Sequence, residues 1–97
     1  MRVIALRALR EFWQRHPQAE EPLRAWHAVA SRAAWRAPAE VKADYRHASF
    51  LPGNRVVFNI KGNDYRLVAA IHYGRRLLYV RFVGTHSEYD RIDAATI

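Results

Sequence analysis

Three short strands between residues 54 and 89 check one another's register, and that mutual check restricts the fold more than any other feature of the chain. A four-residue loop, Lys61-Gly62-Asn63-Asp64, between Ile60 and Tyr65 puts Phe58 opposite Leu67 and Asn59 opposite Arg66. A two-residue Gly74-Arg75 turn between Tyr73 and Arg76 puts Leu67 opposite Phe82 and Ile71 opposite Leu78. Glycine at the first position of that turn suits the hairpin type whose twist matches its strands. Both pairings gather Val56, Phe58, Ile60, Leu67, Ala69, Ile71, Leu78, Val80 and Phe82 on one face, and Asn59, Arg66, His72, Tyr79 and Arg81 on the other. A one-residue slip would invert the faces, so agreement between two hairpins supports both. The apolar face requires a cover; the polar face is expected to stay open.

The cover is encoded upstream. Residues 2–6 read either as a short strand or as the first turn of a helix. From Leu6 onward, Leu6, Leu9 and Trp13, with Ala5, Ala8 and Phe12 beside them, recur at helical spacing. His16-Pro17 ends that helix, because proline disfavours the helical conformation in the residue before it. Glu20, Glu21 and Pro22 suit a second helix start, where acids meet the positive end and proline fits the first turn. Leu23, Trp26, Ala30 and Ala33 supply its buried stripe. Pro38 opens a short third helix through Val41 to about Asp44, and His47–Asn54 reads as a loop. Trp13, Trp26 and Trp35, at helical positions, are expected in the core. After the last strand, Thr85-His86-Ser87-Glu88 has the spacing of a capping box and starts a short helix. The expectation is a single α+β domain over residues 1–97, with N-terminal helices packed on one face of a small twisted antiparallel sheet and a short C-terminal helix.

Charge is uneven along this frame. Between Tyr45 and His86, Arg46, Arg55, Lys61, Arg66, Arg75, Arg76 and Arg81 stand against Asp64 alone, so 42 residues carry +6 of the formal +7. Residues 1–44 carry +3 and residues 87–97 carry −2. Charge localised in this way suits a polyanion, RNA foremost. The chain has no cysteine, which excludes disulfides and thiolate metal sites. Its five histidines show no metal-ligand spacing, and no phosphate loop or nucleophile elbow is present. No cofactor is expected. The opening MRVIALRALREFW is interrupted by arginines, unlike a signal peptide, and no apolar run approaches the ~20 residues that span a bilayer. A cytoplasmic protein without a membrane partner is expected.

The runs NRVVFNIKGNDYRL, YVRFVGTHSEYDRI and ALREFWQRHP resemble the HigB toxins, the toxin halves of bacterial HigBA type II toxin–antitoxin modules within the RelE-like superfamily. The resemblance extends over essentially the whole chain. It implies helices on a twisted antiparallel sheet, cleavage of mRNA (often on the translating ribosome), and neutralisation by a HigA-like helix-turn-helix antitoxin. RelE-like enzymes generally combine a basic cluster on the sheet with a Tyr or His near the C-terminus. The positions matching that pattern here are Lys61, Arg66, Arg81, His86 and Tyr89.

Metal-free RNA cleavage needs a base for the 2′-hydroxyl proton, cations on the phosphate and an acid for the leaving oxygen. Arg66 and Arg81, on one face of neighbouring strands, are the candidate phosphate clamps, since a guanidinium fork fits phosphate oxygens. The bland alternative is a solvated face or a pair with Asp90 or Asp93. His86 is the candidate acid or base, because an imidazole ordinarily titrates near ~6.5; otherwise it only bonds at the helix start. Tyr89 orients RNA, stacks or donates a proton, or else packs the last helix on the sheet. Lys61 and Asn63 meet RNA from the hairpin loop, or provide turn chemistry in which Gly62 and Asn63 take positive φ. Asn59 orients Arg66, touches a base, or makes a structural cross-strand bond. Arg75 and Arg76 add to RNA attraction from a solvated turn. Two other readings remain: a ParE-like toxin that inhibits DNA gyrase by protein contact, and a basic RNA-binding module without catalysis.

Overall fold

In the computed structural model, which describes residues 1–4 and 6–97, a five-stranded sheet runs in the order β1-β5-β4-β3-β2. The strands are β1 (Arg2–Ile4), β2 (Ser49–Leu51), β3 (Arg55–Ile60), β4 (Tyr65–His72) and β5 (Leu77–Thr85). Four strands pair antiparallel; β1 joins the far edge parallel to β5, so the sheet is mixed rather than wholly antiparallel. Residues 2–4 are therefore the strand of the two alternatives the sequence left open. Ala5 of the expected first stripe lies outside the described residues.

The helices are α1 (Leu6–Arg15), α2 (Glu20–Arg32), α3 (Pro38–Asp44) and α4 (His86–Tyr89). Helix α1 stops just before His16-Pro17, and a single 3-10 turn, Pro17–Ala19, reverses the chain into α2. Of the expected stripes, Leu9, Phe12 and Trp13 on α1 and Leu23, Trp26 and Ala30 on α2 are buried, while Leu6, Ala8 and Ala33 are half-buried and Ala33 lies just past the end of α2. The buried residues pack on Val56, Phe58, Ile60, Leu67, Ala69, Ile71 and Leu78, forming the main core. At ~1.5–3 kcal/mol per fully buried aliphatic or Phe side chain, this face supplies most of the driving force for folding. Trp35 is buried as expected but lies between α2 and α3, not on a helix; its indole Nε1 donates to Asp44 Oδ2 at 2.9 Å.

The β3–β4 ladder has the expected register, with Phe58 opposite Leu67 and Asn59 opposite Arg66. The β4–β5 ladder does so only near its turn. Ile71 faces Leu78, but a bulge between Val68 and Ala69 leaves Arg81 without a partner and places Leu67 opposite Val83 rather than Phe82. A bulge adds one residue to one strand and reverses the faces beyond it. Phe82 consequently belongs to a second cluster on the opposite face, with Val57, Val68, Leu51, Tyr89, Ala94, Ile92 and Ile97. The polar face is thus not fully open: the chain after α4 covers its centre. Arg55 fastens that segment, its Nε and Nη2 donating to the Ile97 carbonyl at 2.9 and 2.6 Å.

Three local expectations also change. His47–Asn54 is not all loop, because Ser49–Leu51 pairs with β3 as an edge strand. The second hairpin is not a two-residue turn; Tyr73–Arg75 forms a 3-10 turn, and Arg76, not Gly74, takes positive φ at 54°. In the first hairpin the left-handed residues are Lys61 at 52° and Gly62 at 63°, not Asn63.

Candidate RNA-binding and catalytic site

The capping box forms as expected. Thr85 Oγ1 accepts from the Glu88 amide at 3.2 Å, and Glu88 Oε1 accepts from the Thr85 amide at 2.8 Å. The Thr85 amide, followed by the Thr85 hydroxyl, holds the Glu88 carboxyl below its ordinary value of 4.5, with smaller help from the positive charges of His16 and Arg15; partial burial opposes them. The box fixes where α4 begins, and therefore where His86 is presented. The His86 amide donates to the Asp64 carbonyl at 3.1 Å, tying the start of α4 to the β3–β4 hairpin loop.

His86 is exposed and its Nδ1 lies 3.0 Å from Asp90 Oδ2, one helical turn on. That contact takes Nδ1, and among the described residues Nε2 has no hydrogen-bond partner. Side chains four apart on a helix are neighbours, so the spacing carried this partner, although Asp90 was considered only as a mate for arginine. Arg66 faces Asn59 on one side and Gly84 on the other, and its Nη1 donates to the carbonyls of Asn63 and Tyr65 at 3.0 and 3.2 Å. Neither bond involves an acid, so its charge stays available to an anion. Arg81 is exposed, and among the described residues no hydrogen bond or ion pair engages its guanidinium. The bulge sets Arg81 three residues from Gly84, the neighbour of Arg66, instead of the two of an unbroken ladder. That is about 10 Å along the strand.

The remaining candidates divide. Lys61 reaches Asp64 at 3.2 Å, both side chains well exposed, a contact that contributes little to stability. Among the described residues Asn59 makes no hydrogen bond to its partner Arg66; its Nδ2 points to Asn63 Oδ1 at a long 3.4 Å. Tyr89 is half-buried with its ring 6.5 Å from that of Phe82, so it packs α4 on the second cluster. Arg75 and Arg76 sit beyond the opposite end of β4, about 23 Å of strand from Tyr65, and are not brought to the others. One end of the sheet therefore collects Asn59, Lys61, Asn63, Arg66 and His86, with Arg81 further along β5.

A feature missed in the sequence lies beside this end. The chain leaving α3 and the hairpin border an open cavity of about 480 Å³, lined by Asp44–Ala48 on one side and Phe58, Asn59, Gly62 and Asn63 on the other. Its only advance signal was Arg46-His47 within the basic stretch. Among the described residues no group of three or more His, Asp or Glu side chains converges as metal ligands would, and no helix is long and apolar enough to cross a membrane.

The chain is 29% identical over 92 residues to the mRNA interferase toxin HigB of Escherichia coli K12, covering 93% of this chain and 88% of that protein. Proteins named mRNA interferase HigB from Escherichia coli O157:H7 and Shigella flexneri match to the same extent. The model of the HigB toxin family, described as the RelE-like toxic component of a toxin–antitoxin system, matches residues 19–92, which include the hairpin, Arg66, Arg81, His86 and Tyr89. With three quarters of its length in that match, the chain belongs to the HigB family of RelE-like toxins.

Proposed function

We propose that this toxin is an mRNA endoribonuclease that cleaves translated mRNA on the ribosome without a metal. The observation that carries the reading is the oriented His86–Asp90 pair, joined through the Asp64 carbonyl to the hairpin that presents Lys61 and Arg66. The 2′-hydroxyl loses its proton to a base and its oxygen attacks the adjacent phosphorus. The bond from phosphorus to the 5′-oxygen breaks, and an acid returns a proton to that oxygen. A 2′,3′-cyclic phosphate and a 5′-hydroxyl result. His86 Nε2 exchanges one of these protons, and Asp90 steadies the imidazolium formed in passing. Arg66 and Arg81 hold the charge that grows on the phosphate oxygens. Tyr89, seated on Phe82, keeps α4 and thus His86 in place. Lys61, Asn59 and Asn63 meet the RNA around the cut, while Arg75 and Arg76 attract the anionic surface of RNA or ribosome from the far end.

The mRNA interferase names of the relatives support mRNA as the substrate. A toxin of such a module has a cognate antitoxin, here a HigA-like helix-turn-helix protein that covers the basic end or excludes the ribosome; the setting is the cytoplasm, where translation occurs. The test is cleavage of a ribosome-bound message by purified protein in the presence of a chelator. Cyclic phosphate ends made by the wild type and not by His86→Ala are expected. Equal cleavage by both would remove His86 from the chemistry, and no cleavage with continued growth arrest would favour a protein-contact toxin.

A further inference from the structure

The cavity beside the hairpin has a use beyond phosphate binding. Tyr45 and Phe58 form its aromatic wall, with ring centroids 5.2 Å apart and near-perpendicular planes. Asn59 and Asn63 form the facing amide wall, and Arg46 and His47 stand exposed among its lining residues. The one acid in the lining, Asp44, is held by the Trp35 indole, which donates to its Oδ2 at 2.9 Å, and it stands against the two basic lining residues Arg46 and His47. The amides are bonded to each other only at 3.4 Å, near the limit for a hydrogen bond, which leaves donor and acceptor ready to exchange partners. Tyr45 keeps its proton: burial, with Asp44 adding, pushes its pKa up to about 12.

We infer that this cavity is a subsite for one nucleobase of the RNA next to the cleaved phosphate, read by Asn59 and Asn63, packed against Tyr45, with Arg46 on the adjoining phosphate. An aromatic wall accepts any base, whereas a side-chain amide offers a donor and an acceptor side by side to a base edge. Position supports the assignment. The Asn63 carbonyl holds the Arg66 guanidinium at 3.0 Å, so the base wall and the phosphate clamp share a residue. The inference rests on the nuclease reading for its placement beside a cut, but not for the binding itself.

The test is a titration of the purified protein, observed by amide NMR, with each of the four ribonucleoside 5′-monophosphates and with ribose 5-phosphate at millimolar concentration. Shifts are expected at Tyr45–Ala48, Asn59 and Asn63, larger for one base than for the others and small for ribose 5-phosphate. Asn63→Ala should weaken the preferred nucleotide about ten-fold, towards ribose 5-phosphate. Arg46→Ala should weaken all five ligands alike and retain the base preference. Both positions are exposed, so unchanged circular dichroism is expected. Equal shifts for every ligand, shifts confined to Arg66 and Arg81, or no shifts at all would each overturn the subsite. Base-selective shifts in a protein that cuts no message would instead uphold the pocket and reject the nuclease reading.

Discussion

At the scale of single residues, the site depends on side chains whose fold-stabilising partners are few. His86 is exposed and, among the described residues, its side chain pairs with Asp90 alone, itself exposed. Replacing it with alanine should lower the single-turnover cleavage rate by roughly 10²–10⁴-fold, the usual contribution of one acid–base group. The same change should alter unfolding free energy by less than about 0.5 kcal/mol in urea, as for other surface substitutions. Arg81→Ala should lower the rate by about 10²–10³-fold through lost stabilisation of the phosphate charge. A mutant that loses stability in step with activity would mark either residue as structural. Arg66 stands opposite Asn59 as alternation placed it, whereas Arg81 falls at the bulge that alternation did not reveal. The long Asn59–Asn63 contact was not legible either: cross-strand geometry suggested Asn59 with Arg66, but Arg66 turns to the loop carbonyls instead.

At the scale of elements, the cap and the bulge decide where the site residues stand. The capping box was plain in Thr85-His86-Ser87-Glu88, because both partners are side chain to backbone and need no distant residue. Thr85→Ala should cost about 1 kcal/mol and raise amide exchange in α4. The Glu88 carboxyl is held below its ordinary 4.5 in the folded state, chiefly by the Thr85 amide. Its contribution is thus present above that ordinary value and is lost as pH falls through the lowered folded value. Exchange in α4 should rise over that acidic range in the wild type, and Glu88→Gln should flatten the response. The bulge was not legible, since Val80-Arg81-Phe82-Val83 alternates acceptably in either register until Phe82 must choose a face. Gly84 shows what the choice requires: a Cβ there would stand 2.5 Å from the Phe82 ring and 3.1 Å from Glu88 Oε1. Gly84→Ala should destabilise by about 1–3 kcal/mol and disturb α4, measurable as a lower urea midpoint. The edge strand β2 was hidden for another reason. Three residues beside Pro52-Gly53 are too short to show a period, and turn chemistry dominated the reading.

At the scale of the whole molecule, helices on one face and the terminal segment on the other leave chemistry to one end of the sheet. Arg55, read only as part of the basic stretch, instead holds the Ile97 carbonyl and closes the second cluster over Val57 and Val68. Arg55→Ala should speed exchange of the amides of residues 93–97 while leaving the helix-covered core protected, which hydrogen exchange with mass spectrometry would resolve. Growth arrest by this HigB-family toxin through mRNA cleavage at that end of the sheet can be tested directly in bacteria. Wild type and an Arg81→Ala/His86→Ala double mutant would be induced to equal levels, with growth followed and mRNA 5′ ends mapped. Growth arrest with new 5′-hydroxyl ends inside translated messages, for the wild type alone, is the predicted result. Equal arrest by both proteins with no new ends would contradict it.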